Sequence, residues 1–463
     1  NNSSLLVSYI GYDGQEISVR GKNQFNITLK ENLQALDEVV VIGYGTQSRE
    51  LLTTSVSKVD NKVLESVPYG NLASALQGSV SGVRVQSTSG QPGEAPRIVV
   101  RGGTSIQNPD GAAPLYVVDG VPYEGSLDAI NPSEIANITI LKDAAAAAIY
   151  GSRAANGVIV VKTKRGLPGK INVSYNGYYG IQKATYLPEF ANAAEYMQMV
   201  NVAQKNIGGS PTYSDDAIAQ TISGKDPINY PDTDWTDYMF KNGSVQSHSV
   251  SVSGGGNLAR FALTANYLKN DALIENTNSD RLNIRANTSV SLLDNLSVNM
   301  DFNSYRTNRE EPLTGVLDYL YSTPPTTVAR YPQKEGEKQV YYGNRPEQRN
   351  PAALMERGGT RTYLEDNVSI NIAPRWEIIP NLVLRGQYSY RVSSSAKKEE
   401  RAAWNFFDYN SGAFLQTWGA YHGAEKGRSS YYYIGATAEY TYERKQHRLF
   451  AIGGYNQELT NNG

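Results

Sequence analysis

The chain has 463 residues, and its 43 lysines and arginines nearly balance 45 aspartates and glutamates, for a net charge of −2. That balance excludes the basic footprint of a nucleic-acid binder, and the absence of cysteine excludes disulfides, thiol catalysis and cysteine-held metals. Tyrosine dominates the aromatics, 33 against 9 phenylalanines and 4 tryptophans, and a ring carrying a wet hydroxyl suits membrane interfaces and sugar-binding surfaces.

The N-terminal stretch reads as short strands joined by turns, Leu5–Ile10, Glu16–Arg20 and Phe25–Leu29, with a turn at Tyr12–Gln15. It opens in mid-strand with no signal peptide, so a mature or partial chain is expected. Residues 1–34 are too few to build a core of their own.

The nine residues DEVVVIGYG, Asp37–Gly45, organise the rest of the chain. Two acids precede four β-formers, Val39, Val40, Val41 and Ile42, and then comes Gly43-Tyr44-Gly45. One reading is a buried strand of a small domain. A second is a dinucleotide-binding turn, but the third glycine is replaced by Ser48 and residues 51–57 are β-branched, where a helix is required. The third is a loose segment that another protein adds to its own sheet, main-chain hydrogen bonds giving affinity and alternate side chains giving register.

Residues 48–166 read as a compact α+β unit. Asn71–Gly78 has an Asn cap and a Gly stop for a short helix. Strands are expected at 83–85, 98–101, 115–118, 138–141 and 157–163, with a helical turn at Pro132–Ile135 capped by Asn131. Ala144–Ile149 is expected to be helical, ending at Tyr150-Gly151.

From Lys170 the pattern changes to alternation. Ile171, Val173, Tyr175, Tyr179 and Ile181 share one face of a strand; Leu282, Ile284, Ala286, Val290 and Leu292 share one face of another, opposite Arg281, Asn283, Arg285, Asn287 and Ser289. Candidate strands cover 171–182, 245–253, 258–270, 281–292, 296–306, 364–378, 382–392, 430–442 and 447–459. Period alone does not separate a soluble sandwich from a membrane barrel. Connection lengths do: very short turns at 254–257, 293–295, 379–381 and 443–446 alternate with longer stretches at 183–244, 271–280, 307–363 and 393–429. Tight turns on one side and long loops on the other mark an outer-membrane barrel. No apolar run is long enough for a transmembrane helix, which does not bear on a barrel.

Catalytic motifs are missing. His248, His422 and His447 are scattered, His248 sharing a strand face with Val250 and Val252. The adjacent acids Glu310-Glu311 and Glu399-Glu400 fit a solvated surface better than a glycosidase pair, which comes from separate places across the bond. No metal site and no cofactor site is indicated. The long loops hold Tyr213, Tyr230, Trp235, Tyr238, Tyr321, Tyr341, Tyr342, Trp404, Phe406, Phe407, Tyr409, Trp418 and Tyr421. An interfacial girdle with loop self-packing accounts for most of them; stacking against substrate is the sharper alternative.

Several of these stretches resemble the SusC/RagA family of TonB-dependent outer-membrane transporters. ALDEVVVIGYGT (Ala35–Thr46) is similar to the family's TonB box, and LLVSYIGYDGQEISV with FNITLKEN to the last strands of a carboxypeptidase-regulatory-like β-sandwich ahead of it. LASALQGSVSGVRV, SGQPGEAPRIVVRG, PLYVVDGVPY and NPSEIANITILKDAAAAAIYGSRAANGVIVVKTKRG keep the order of the plug. Thr233–Gly256 and Tyr319–Gly336 are similar to SusC-type barrel segments, so the resemblance covers nearly all of the chain.

The resemblance implies an all-β membrane protein, a large transmembrane antiparallel β-barrel with an N-terminal α+β plug domain in its lumen. Plugged barrels have roughly 22 strands, of which about nine are present here, so the chain is expected to be the front part of a longer one. The implied division is 1–34, the end of the extension; 35–47, TonB box and linker; 48–166, plug; and 167–463, the first part of the barrel. The implied activity is active import of oligomeric nutrients, glycans before oligopeptides, across the outer membrane of a Gram-negative, Bacteroidota-like cell. A lidless receptor for another ligand is the remaining alternative. Implied partners are a SusD-like surface lipoprotein acting as lid, TonB driven by a proton-powered inner-membrane complex and binding Asp37, Glu38, Val39, Val40, Val41, Ile42, Gly43, Tyr44 and Gly45, outer-membrane lipid, and a dimer of transporter–lipoprotein pairs. Gln91, Glu94, Arg101 and Asp110 on plug loops and Tyr321, Trp404 and Trp418 on barrel loops are the substrate-binding candidates.

Overall fold

In a computed structural model the described residues are 4–7, 15–18, 39–42, 45–48, 56–60, 72–87, 89–94, 96–100, 102, 113–123, 125, 130–143, 147–343, 350–444 and 447–463. Near the N-terminus β1 (Ser4–Val7) pairs antiparallel with β2 (Gln15–Ser18). The four β-formers of DEVVVIGYG make β3 (Val39–Ile42), paired with β4 (Gly45–Ser48) so that Val40 faces Gln47. Asp37, Glu38, Gly43 and Tyr44 lie outside the described residues.

The plug is built on β5 (Val56–Asp60), β6 (Val83–Gln86), β7 (Arg97–Val100), β8 (Leu115–Val118), β9 (Val121–Tyr123), β10 (Ile135–Leu141) and β11 (Val158–Thr163). Five of them form a sheet in the order β5-β10-β11-β8-β9, with β11 and β8 parallel and every other pair antiparallel; β6 and β7 make a separate hairpin. β11 lies mid-sheet with both faces covered, which is why it reads as the unbroken run Val158-Ile159-Val160-Val161, all four buried. One face packs on helix α1 (Leu72–Leu76) through Leu72, Leu76, Ile138, Ile140 and Ile159, each side chain contributing ~1.5–3 kcal/mol by leaving water. The other packs on Tyr150 and Ala154.

The capped turn at Pro132–Glu134 forms as expected, the Asn131 side chain accepting from Ser133 N at 2.8 Å. Of the alanine stretch, Ala144, Ala145 and Ala146 lie outside the described residues, and Ala147 N donates to the Asp143 carbonyl at 3.0 Å, the i to i−4 bond of an α-helical turn. Ala148–Ala154 is a tight 3₁₀ turn kinked at Gly151, whose φ of 71° only glycine adopts without strain. β5 and β9 add to the expected strands, being too short to announce themselves by alternation.

Beyond the plug all nine expected barrel strands are present, and they form one antiparallel meander: β12 (Gly169–Gln182), β13 (Gly243–Gly255), β14 (Ala259–Asp271), β15 (Asn278–Leu293), β16 (Leu296–Pro312), β17 (Thr360–Ile379), β18 (Leu382–Arg401), and then, after the loop hairpin β19 (Trp404–Phe407) and β20 (Phe414–Trp418), β21 (Tyr421–Arg444) and β22 (His447–Asn462). Most run beyond the expected ends, because the ladders continue into the polar residues above the membrane. The face question left open by periodicity is resolved. Leu263, Ile284, Phe302, Ile370, Tyr388 and Ile434 are exposed on the outer surface, while Asn266, Asn283, Arg285, Asn287, Asp301, Asn303 and Arg391 are buried on the inner one. Apolar outside and polar inside is the inverse of a soluble sandwich and the signature of a membrane barrel. His248 also faces outward, its Nδ1 2.8 Å from the Tyr175 hydroxyl.

The long connections carry structure of their own. Between β12 and β13 lie α2 (Ala193–Asn206), α3 (Asp215–Ser223) and α4 (Trp235–Met239). α5 (Val316–Ser322) and α6 (Pro351–Arg357) lie between β16 and β17. α2 starts with a reciprocal capping box between Asn192 and Glu195, α3 with Ser214 as cap and Gly224 as its left-handed stop, and α6 with Asn350 ahead of Pro351. These start and stop signals are local, set by residues within one turn of each helix end.

Candidate functional site

The boundary between plug and wall is held by buried charge. Arg285, on the inner face of β15, donates from Nε to the Glu134 carboxylate at 2.8 Å and lies 3.8 Å from that of Asp119. The Arg285 side chain is 8% exposed and that of Glu134 0%. Both acids are set by turns. Glu134 ends the Asn131-capped turn, and Asp119 sits between β8 and β9 with φ at 49°, followed by Gly120 at 89°. Aspartate tolerates the left-handed region because its short side chain bonds locally; here it accepts from Thr163 N at 3.1 Å and from the Thr163 hydroxyl at 2.6 Å.

A second group continues the boundary. Arg165, just past β11, pairs with Asp301 of β16 at 2.8 Å, and Asn371 of β17 donates to the same carboxylate at 3.0 Å. Asn287 donates to Thr163 Oγ1 and to the Lys164 carbonyl, and Gln387 of β18 donates to the Asp119 carbonyl at 3.1 Å. Nearby on the plug, burial pushes the Lys162 ammonium pKa down, with Asp119 pulling the other way. In the sequence Arg285 and Asn287 belong to the polar face of a strand, whereas Glu134, Asp119, Arg165 and Asp301 do not stand out. Their signal is a charge on the lumen side of a strand, which becomes interpretable only once its plug partner is known.

Higher up, a plug turn rests on the wall. Gln91 hydrogen-bonds to Glu311, and Glu94 lies 3.4 Å from Arg309, whose guanidinium stacks 4.4 Å over the Tyr363 ring. The turn fits closely: a Cβ on Gly93 (φ 77°) would stand 2.7 Å from the Ser279 hydroxyl oxygen. Arg361 bridges Glu311 at 3.1 Å and Glu399 at 2.6 Å, and Glu399 also takes Lys397 at 3.1 Å and the Tyr421 hydroxyl at 3.0 Å. Gln91 and Glu94 are thus brought together at the plug–wall seam. Arg101 and Asp110 lie outside the described residues.

The loop candidates divide. Trp404 and Trp418 pack on one core with Trp235, Met239, Tyr342, Leu354 and Phe406. Arg357 stacks 3.8 Å over the Trp404 ring, and Phe406 meets Trp418 edge-on at 4.5 Å. Trp235 Nε1 donates to the Pro324 carbonyl at 3.1 Å. Tyr342 donates to Glu356 at 2.8 Å, its pKa raised by burial and by that carboxylate. The loops therefore form a small folded cap. Tyr321 instead stands 53% exposed beside the exposed Phe190, ring centroids 5.8 Å apart. Among the described residues no group of three or more His, Asp or Glu could hold a metal ion.

Comparison with known proteins agrees with this architecture. The TonB-dependent Receptor Plug Domain model matches residues 48–158. A TonB-dependent receptor of Formosa agariphila is 34% identical over 329 residues, 70% of this chain and 32% of the relative. The TonB-dependent receptor SusC of Bacteroides thetaiotaomicron is 28% identical over 445 residues, 88% of this chain and 42% of the relative. The chain thus spans well under half the length of each. Among solved structures, the RagAB peptide importer in its open-open state is similar in fold, with a TM-score of 0.72 over 92% of this chain and 50% of that chain at 22% identity. With a plug, an inside-out wall and these relatives, the chain belongs to the SusC/RagA-like TonB-dependent receptors, β-barrels of the bacterial outer membrane.

Proposed function

We propose that the whole receptor imports oligomeric nutrients across the outer membrane, driven by a pull on the strand segment Asp37–Gly45. The observation that carries this is the plug itself, ion-paired to the inner wall at Arg285–Glu134 and Arg165–Asp301. A lumen closed that way has no open path, and the outer membrane offers no energy source. Work must come from a partner that grips an accessible strand, a role that TonB fills in our reading. A SusD-like lipoprotein covers the outer face as lid. The protein is a transporter, not an enzyme. The division into an extension over 1–34, a linker over 35–47, a plug over 48–166 and a barrel from 167 belongs to the same proposal.

For the cargo we infer oligosaccharides. The charges on the inner rim, Glu311, Arg361, Glu399 and Lys397, neutralise one another, so the rim presents no single-sign field to draw a charged cargo. Neutral, hydroxyl-rich chains meet hydrogen-bonding groups and tyrosines there at little electrostatic cost. The name of the RagAB importer raises peptides as the competing cargo, although that likeness is one of fold.

The test is gentle extraction of the full receptor from native outer membrane, with mass spectrometry of every copurifying chain and small molecule. A lipoprotein lid with bound glycan is expected. The same lid with short peptides would overturn the cargo and keep the transporter; recovery of neither lid nor oligomer would overturn both.

A further inference from the structure

The segment on which the pull acts in our reading is already paired. β3 forms a ladder with β4 in which Ile42 faces Gly45, Val41 faces Thr46, Val40 faces Gln47 and Val39 faces Ser48. Two residues, Gly43 and Tyr44, separate the strands in the sequence, the spacing of a tight hairpin and with the glycine first, as such spacings favour. With that spacing Ile42 and Gly45 are a hydrogen-bonded pair, by alternation so are Val40 and Gln47, and Val41 with Thr46 is a non-bonded pair. The main-chain groups of Val40 and Ile42 are therefore taken up by β4, while those of Val39 and Val41 point to the other edge of β3.

β3 lies beside β10 of the plug, yet β10 cannot extend the ladder, because it is bonded to β5 along one edge and to β11 along the other. The two strands of the hairpin are unequal. β3 is four β-branched residues in a row without a charge, a sequence that pairs readily with another strand. β4 consists of Gly45, Thr46, Gln47 and Ser48, of which Thr46 alone is a strand former. A lone two-stranded ribbon is marginal in water. β4 thus covers a pairing-prone edge, the way sheet proteins avoid unwanted partners, through a ladder weak enough to yield to a better strand.

We propose that β4 is a displaceable guard strand: the partner that pulls on Asp37–Gly45 adds its own strand to the edge of β3 that β4 occupies, and Thr46–Ser48 must leave that edge first. This inference rests on the strand-addition reading above and goes beyond it by naming the edge and what covers it. The partner that fits is an extended segment whose main-chain donors and acceptors meet those of Val40 and Ile42. Its affinity then depends on Thr46, Gln47 and Ser48, which lie outside the gripped segment.

In the full-length receptor, V41C/T46C puts two thiols on facing residues, whose Cα atoms stand ~4.5 Å apart in a non-bonded pair, within the roughly 4.4–6.8 Å that a disulfide spans. The 463 residues contain no cysteine of their own. Binding of the purified periplasmic domain of TonB is measured on the oxidised and the reduced form of the same sample. Oxidation is expected to weaken it by roughly tenfold or more, and reduction to restore it. Q47P removes a donor from β4 and leaves β3 unchanged, so it should tighten binding by about threefold to tenfold. Equal binding by the oxidised and reduced forms would overturn the guard strand and leave the grip to the opposite edge of β3. A Q47P receptor that binds no tighter than wild type would overturn it as well. Wild-type binding by a receptor deleted of residues 37–42 would instead overturn the strand-addition reading, and the guard strand with it.

Discussion

Arg285 on the wall and Glu134 on the plug meet at 2.8 Å with almost no exposure to water, one residue from each of the two bodies that the proposed import would separate. Attraction and desolvation nearly cancel in such a pair, but losing one partner strands a buried charge. Arg285→Met is therefore expected to destabilise plug seating by about 3–5 kcal/mol, while Arg285→Met with Glu134→Gln recovers a large part of the loss. Hydrogen exchange of β10 in the purified receptor measures this. A single variant as well protected as wild type would show that the pair does not hold the plug.

Asp119 joins three tasks: a left-handed turn position, two bonds to Thr163, and a carbonyl that Gln387 of the wall reads. The tasks can be separated by substitution. Asp119→Asn tolerates the backbone and keeps an acceptor, so its cost should be smallest. Asp119→Gly removes the strain and both bonds. Asp119→Ala loses the bonds and adds about 1–2 kcal/mol of left-handed strain. Melting temperatures in the order Asn, Gly, Ala, highest first, are expected; alanine above glycine would contradict the turn argument.

Much of this architecture is legible in the sequence because it rests on local rules. The nine wall strands come from alternation and the Pro132–Glu134 turn from its Asn131 cap, whereas the loop helices behind Asn192, Ser214 and Asn350 lie in stretches expected only as long loops. The hidden part depends on contacts distant in sequence. Nothing near Glu134 announces Arg285, and nothing near Gln91 announces Glu311. Of Ala144–Ile149 only the end is described, a helical turn at Ala147 that passes into a 3₁₀ turn kinked at Gly151. Trp404 and Trp418, two of the substrate-binding candidates, are half-buried against the loop core, a packing that composition does not show.

The pull on the N-terminal segment has its own variant. Val40→Pro removes a backbone donor from β3 and the fit of that strand to an added sheet. Uptake should fail while substrate binding to the purified receptor stays within about twofold, because the change is in β3 and not in the plug turns or loops that carry the cargo candidates. Measuring both on the same variant separates the two. Unaltered uptake would sink the strand-addition mechanism.

The Gln91 turn is fastened differently from the Arg285 lock, by half-exposed plug groups, Gln91 and Glu94, on the wall residues Glu311 and Arg309. Screened contacts of this kind contribute about 0–1 kcal/mol each. Gln91→Ala should leave global stability within ~1 kcal/mol of wild type and raise hydrogen exchange locally over residues 89–94. Glu311→Ala should raise the same local exchange by removing the acceptor from the wall side, and it also takes one of two carboxylates from Arg361. If either variant also exposed β10, the seam near Gln91 and the buried lock would be one cooperative unit, contrary to the separation in the structure.

Tyr321 and Trp404 offer the sharpest contrast among the loop aromatics. Trp404 is half-buried between Arg357 and the cap core, so Trp404→Ala should loosen the cap locally and open residues 402–420 to protease. Any loss of cargo binding would then be indirect and accompanied by loop cleavage. Tyr321 stands in solvent beside Phe190, with little packing to lose. If the pair stacks on cargo, Tyr321→Ala should weaken binding by about fivefold to tenfold, a ring contact being worth ~1 kcal/mol, with protease resistance unchanged. Titrating cargo into both variants while monitoring limited proteolysis reads the two quantities together. Full affinity in Tyr321→Ala would leave that ring as surface decoration and move the search for cargo contacts to the inner rim near Arg361 and Tyr363.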